Sequence, residues 1–254
     1  MDLSQKIPIL TYHSIDEHRS VISTAPDVFR RQMKSMNAMG LRGISLQTLS
    51  RSWTDNNALP KNSVVLTFDD GFENFYTTAF PVLEEYGFQA TVFLVTEFCG
   101  KNNDWEGNPP NFPPSKLMSW SQVKELSSRG IEFGSHTLTH PDLTRVSEAR
   151  AKREVVESKA TIEDALGRPV TDFAYPYGKF NNSVRQVAAQ SFDSACSTNL
   201  GKAGADSDLF SLARIDAYYL SRPLIFDSLS SPMFDRYMQV RQAMRDLKAT
   251  ISRN

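Results

Sequence analysis

Residues Val64–Phe75 read VVLTFDDGFENF. Val64 through Phe68 form the continuous apolar and β-branched run of a strand buried on both faces. The run ends in two adjacent carboxylates, Asp69 and Asp70, followed by Gly71. Aspartate and glycine are turn residues, so a strand followed by a plain turn is the simplest account. Neighbouring carboxylates repel, however. The second account is that they face partners supplied by other parts of the chain.

Outward from this stretch, strand-like and helix-like runs alternate. IPILTYH (7–13), LRGISL (41–46), QATVFLV (89–95), IEFGSH (131–136), DFAYPYG (172–178), SACST (194–198) and SLARIDAYYL (211–220) read as strands. Between them, residues 25–40 carry Phe29, Met33, Met36 and Met39 at helical spacing, a stripe read as core packing, and Gly40 marks the end. Helices are also expected over 73–87, with a kink at Pro81, and over 119–130, 183–191 and 233–251. The longest, 147–167, has Ser147 as N-cap and Gly167 as its C-terminal stop. Residues 100–115, with four prolines and two glycines, form a loop. Strand–helix alternation over about 250 residues predicts one barrel of β/α units whose strand C-termini face the active site. Asp69, Asp70, His13, His136 and the AYPYG stretch all stand at such ends.

Composition is that of an ordinary globular protein: 40% hydrophobic, 22% charged, formal net charge −1. There is no basic excess to suggest nucleic acid. No apolar run reaches the ~18 residues of a membrane span. The N-terminal stretch MDLSQKIPILTYHSI lacks the pattern of a signal peptide, so a cytoplasmic protein is expected. Cys99 and Cys196 have no metal spacing and read as free thiols.

Four histidines occur in the chain. His136 and His140, in GSHTLTHP, stand four residues apart. On a helical turn that spacing puts both imidazoles on one side, about 6 Å apart along the axis, close enough to share one metal ion, with capping or surface roles as the alternative for the pair taken alone. Two histidines and one aspartate make a three-ligand catalytic metal site, and the second aspartate is then left as a base.

Three stretches taken together, TFDDG (67–71), SHTLTHP (135–141) and FAYPYG (173–178), resemble in order the first three motifs of the polysaccharide deacetylases, the NodB-type domains of carbohydrate esterase family 4. The resemblance covers roughly residues 7–220 of one domain spanning 1–254, with a C-terminal helix at about 232–252. It implies an irregular (β/α)7 barrel and metal-dependent removal of acetyl groups from sugars. It implies Asp70, His136 and His140 as ligands of one divalent ion, zinc first among candidates, with Asp69 as base and the Tyr177 N–H as oxyanion donor.

Two departures stand out. Where the family's third motif carries arginine, this chain has Ala174; Arg214 is the candidate for the missing cation near Asp69, with a surface strand residue as the alternative, and Asp216 the candidate acidic partner. No histidine follows His140 to serve as the family's late general acid. The poly-β-1,6-N-acetylglucosamine deacetylase branch resembles this chain in carrying Tyr-His at its first strand, which implies His13 as the acid. His18 reads as solvated. Trp120, Tyr175, Pro176 and Tyr177, with Trp105, are candidates for contact with a sugar, each equally readable as core. The expected reaction is removal of an N-acetyl group from an amino sugar in a polysaccharide or glycan precursor. An O-acetyl or formyl group on a lipid- or nucleotide-linked sugar, or a catalytically inactive sugar-binding barrel, are the alternatives.

Overall fold

The computed structural model describes residues 6–18, 20–108 and 114–251. Residues 109–113 of the Pro-rich loop and residue 252 of the expected last helix lie outside the described residues. The apolar runs form eight strands: β1 (Ile9–Tyr12), β2 (Arg42–Ile44), β3 (Ser63–Phe68), β4 (Thr91–Leu94), β5 (Glu132–Ser135), β6 (Asp172–Ala174), β7 (Ser194–Leu200) and β8 (Leu212–Asp216). Seven close into a ring, β1-β8-β7-β6-β5-β4-β3, because β1 pairs with β3 as well as β8. Every ladder is parallel, so each connection is a crossover rather than a hairpin. This is the seven-stranded barrel expected. Its irregularity is β2, which pairs only with the first half of β3, Arg42 to Ser63 through Ile44 to Val65.

The helices are α1 (Pro26–Ala38), α2 (Leu46–Thr54), α3 (Phe80–Glu85), α4 (Trp120–Ser128), α5 (Glu148–Leu166), α6 (Asn182–Ser191), α7 (Pro223–Asp227) and α8 (Pro232–Ile251). The Ser147 hydroxyl accepts from Arg150 N–H at the start of α5, and Gly167 ends it at φ +67°. Pro81 sits in the first turn of α3, which continues from a π-helical turn at Phe75–Ala79. Two helices, α2 and α7, were not foreseen. The signal for α2 is Ser45, whose hydroxyl caps Thr48 N–H, ahead of Leu46 and Leu49 on one buried side.

Period-two alternation splits most of the strands between two apolar clusters. Val64, Leu66 and Phe68 of β3 pack outward with Phe29, Met33 and Met36 of α1, which is the role read for the Met stripe. Val65 points into the lumen with Ile9, Ile44, Phe93, Ala174, Cys196 and Leu212. Gly134 makes room there: a Cβ on it would come within 2.5 Å of the Phe93 ring and 2.7 Å of the Asp172 carbonyl. Cys99 and Cys196 are free thiols.

Candidate active site

The same parity that fills the lumen with apolar groups fills its upper end with polar ones. Along the inward side β1 continues Ile9, Thr11, His13, and β3 continues Val65, Thr67, Asp69. Thr11 and Thr67 are register partners with hydroxyls 3.2 Å apart. One step further, His13 Nε2 lies 3.8 Å from Asp69 Oδ2. On β8 the step up from Leu212 is Arg214, whose guanidinium enters the same layer and donates to Thr67 Oγ1 at 3.4 Å.

Arg214 is only 2% exposed, so it is not a surface strand residue. Its Nη1 and Nη2 each donate to one oxygen of Asp69 at 2.7 Å, and its Nε donates to the Ser197 carbonyl at 2.9 Å. Burial pushes the Asp69 carboxyl up, but the charge and hydrogen bonds of Arg214 pull it well below the usual carboxylate range. Arg214 is in turn held above its ordinary value by Asp69, against the effect of burial. Asp216 does not take part through a hydrogen bond to Arg214. Its carboxylate caps the following turn at Tyr218 N–H, 2.9 Å away.

Asp70 is the other half of the opening question. Its φ is +72°, an uncommon conformation for a residue other than glycine. Oδ1 lies 3.6 Å from His136 Nε2 and 3.5 Å from His140 Nε2. The candidate ligand atoms of all three lie within 4.8 Å of one another, and all three residues are buried. Asp70 Oδ1 has no hydrogen-bond donor among the described residues. A buried carboxylate oxygen left without a donor is costly, and a cation at this point would satisfy it. His136 is prepared for that role. Its Nδ1 lies 2.7 Å from the Ala174 carbonyl, which can only accept, so Nδ1 carries the proton and Nε2 the free lone pair. Burial, then the neighbouring His136, holds His140 well below its ordinary pKa and keeps it a neutral donor, while burial moves Asp70 upward. The residues therefore fit a divalent ion.

The histidine pair does not sit on a helical turn, contrary to the expectation from its spacing. Residues 136–140 form an irregular turn with Thr137 at φ +72° and His140 at φ +60°. Such a turn needs outside support. Glu154 of α5, itself buried, supplies it: its carboxylate accepts Leu138 N–H at 3.0 Å, Thr139 N–H at 2.9 Å and the Thr139 hydroxyl at 2.7 Å. The Thr137 hydroxyl accepts His140 N–H at 3.0 Å. Four of the six described non-glycine residues at positive φ are Asp70, Thr137, His140 and Tyr177, so backbone strain concentrates here. Glu154 was not foreseen, because nothing in its own stretch of sequence marks it.

The candidates for sugar contact fare unequally. Tyr175 is fully buried, stacked on Phe180, with its hydroxyl donating to the Phe210 carbonyl at 3.0 Å. Pro176 is buried as well. Neither presents a face to a ligand. Trp105 is buried against His140, ring centroids 4.6 Å apart, and Trp120 is half-buried at the start of α4. The exposed ring is that of Tyr177, at φ +59°, set 4.6 Å from the His140 ring. Gly178 permits this turn, since a Cβ there would meet Thr198 Oγ1 at 2.1 Å. His18 is exposed. Tyr177 lines a cavity of about 710 Å³ with Glu97, Glu106, Thr139 and Lys179. A second, of about 550 Å³, opens past the ends of β1 and β8 between Asp16, Tyr218, Tyr219 and Arg241.

A family model described as polysaccharide deacetylase matches residues 56–191. The deacetylase PplD of Streptococcus pyogenes, solved with acetate, is similar with a TM-score of 0.74 and 32% identity, over 84% of this chain and 92% of that one. The poly-β-1,6-N-acetyl-D-glucosamine N-deacetylase of Staphylococcus epidermidis is 27% identical over 169 residues, 63% of this chain. That match spans 55% of the staphylococcal enzyme's length. The structure of IcaB from Ammonifex degensii, at 22% identity, shares the fold with a TM-score of 0.71 over 89% of this chain and 96% of that one.

Proposed function

This chain belongs to the polysaccharide deacetylase family, and on that premise we propose that it removes N-acetyl groups from an amino-sugar glycan with the help of one divalent ion, zinc first among candidates. The observation that carries the reading is the donor-less Asp70 Oδ1 facing two imidazole nitrogens, beside an Asp69 held ionised by Arg214.

Asp70 Oδ1, His136 and His140 would hold the ion. When bound, it supplies a Lewis acid for the acetyl carbonyl and makes a neighbouring water more acidic. Asp69 accepts the proton of the attacking water through the lone pairs that Arg214 leaves free. Arg214 keeps that carboxylate charged and fixes its plane. The Tyr177 N–H donates to the oxygen that gains charge as the carbonyl becomes tetrahedral. His13, whose Nε2 lies 3.8 Å from Asp69 Oδ2, passes a proton to the departing nitrogen, which is otherwise a poor leaving group. The ring of Tyr177 forms part of the wall against which the sugar rests.

The test uses the chelator-treated chain and N-acetylglucosamine oligomers. Amine release is expected to be absent without metal, to return with about one zinc per chain, and to stay absent in His136→Ala. Amine release indifferent to chelation and to His136→Ala would overturn the metal assignment. Turnover of aryl acetates with untouched oligomers would overturn the substrate.

A further inference from the structure

Past β8 the surface changes character. Of the nine large apolar side chains that stand exposed among the described residues, six fall between residues 218 and 247. Four belong to α8: Met233, Val240, Met244 and Leu247, exposed by 81%, 55%, 58% and 62%. At about 100° per residue they fall within an arc of about 60°. This is not the side by which α8 packs. Phe234 and Met238 are buried against the core, and the Gln242 side chain accepts Leu200 N–H at 2.8 Å. That face lies about 150° around the helix from the exposed stripe. The helix therefore has two apolar faces, and the protein covers one of them.

Charge indicates what covers the other. Arg236 lies within about 60° of the stripe's centre on one side, and Lys248 and Arg241 within about 90° on the other. The acids, Asp235 and Asp246, lie away from it, and Asp235 is paired with Lys202 at 2.7 Å. The helix carries four basic and two acidic residues in a chain of net charge −1. A second copy of the chain would set these cations against their own counterparts, whereas lipid headgroups of negative charge would pair with them. We propose that the stripe of Met233, Val240, Met244 and Leu247 seats α8 in the interface of an anionic membrane, with Arg236 reaching the headgroups beside it.

An interfacial helix buries such a stripe along its length while its cations extend outward. The opposite side of α8 ties it to the catalytic end of the barrel. Arg245 Nη1 donates to the Thr198 carbonyl at 2.9 Å, and Thr198 Oγ1 lies 3.4 Å from the Tyr177 carbonyl. Docking would thus bring the rim of the candidate site close to the membrane plane. The docking itself is independent of the catalytic reading.

The test is co-sedimentation of the full chain with vesicles of phosphatidylcholine alone or with about a third phosphatidylglycerol. Binding is expected only with the anionic lipid, falling several-fold at about 0.5 M salt, where the Debye length drops to a few ångströms. Met244→Ser with Leu247→Ser should lower it by tenfold or more, with circular dichroism unchanged. Arg236→Glu, which leaves both apolar faces intact, should lower it about fivefold or more. Absence of binding, equal binding to neutral vesicles, or binding that survives both variants would overturn the proposal. So would a dimer in solution that the serine variant dissolves, since that assigns the stripe to a second copy.

Discussion

Asp69 stands at the C-terminal end of β3 and Asp172 at the N-terminal end of β6, and both are buried, at 3% and 2% exposure. Burial alone would push both carboxyls up. Asp69 instead stays well below the usual range, because a guanidinium grips both its oxygens. Among the described residues Asp172 receives hydroxyls alone, from Ser194 at 2.7 Å and Thr171 at 3.1 Å, and burial pushes it up to about 6. Neutral donors solvate a carboxylate less than a charged fork does. One end of the barrel thus carries a fixed charge, while the other carries a group that titrates close to neutrality. Equal burial does not give equal chemistry. The partner decides which protonation state the fold keeps.

The widest gap between the two ends should appear in Asp69→Asn. An amide cannot take a proton from water, so N-acetyl hydrolysis is expected to fall by about 10²–10⁴-fold with zinc content retained. Loss of zinc in this variant would mean that Asp69 and Asp70 exchange roles. Turnover of an aryl acetate in His13→Ala belongs to the same comparison. It should suffer far less than amide turnover, because a phenolate leaves without a proton.

Arg214→Met asks how much of the fixed charge rests on the guanidinium. It leaves an unpaired buried carboxylate and should destabilise folding by about 3–5 kcal/mol in urea. Adding Asp69→Asn to it should recover much of that loss, a non-additivity read from the double-mutant cycle. Additive losses would show that Arg214 acts by packing rather than by charge.

A smaller effect is expected one layer out, at Glu154. Glu154→Gln keeps one acceptor for the 138–139 turn but loses charge, and zinc affinity measured by chelator competition should drop about 10- to 100-fold. Unchanged affinity with a lowered melting temperature would make Glu154 a structural residue only.

These residues differ in how far sequence exposes them. Parallel strands buried on both sides are continuous apolar runs, and so β1, β3 and β4 stand out without any partner being known, while β2 and β5 to β8 are read from their alternation with helical stretches. Asp69, Asp70 and His13 are visible because they end such runs. Arg214 is harder. Its step of two from Leu212 puts it on the inward side, but only the closed ring brings it to Asp69. The spacing of His136 and His140 admits a helical turn, and the chain instead makes a strained one whose Leu138 and Thr139 N–H groups are accepted by Glu154 on the following helix. Tyr175 looks like a sugar platform until β6 turns it into the core. In each case the missing information is a contact between elements rather than a local preference.

The smallest effect belongs to Asp172, and its sign separates the two ends most plainly. Its folded pKa, about 6, lies above the ordinary unfolded value near 3.9. The folded state therefore binds this proton more tightly than the unfolded chain does. The stabilisation is fully present below the unfolded pKa and is lost as pH rises through 6. Between pH 5 and pH 8 this amounts to about 1.4 kcal/mol. Asp69 has the opposite linkage. Its stabilisation is present above the unfolded pKa and is lost only as acid drives the pH below that value. Asn in place of Asp172 can still accept from Ser194 and cannot ionise. Urea unfolding at pH 5 and pH 8 should therefore show a smaller pH-dependent loss in Asp172→Asn than in wild type, by about 1 kcal/mol, with the variant gaining most at pH 8. An identical pH slope in the two proteins would mean that Asp172 stays ionised throughout and that its two hydroxyl partners hold the charge as effectively as Arg214 holds it on Asp69.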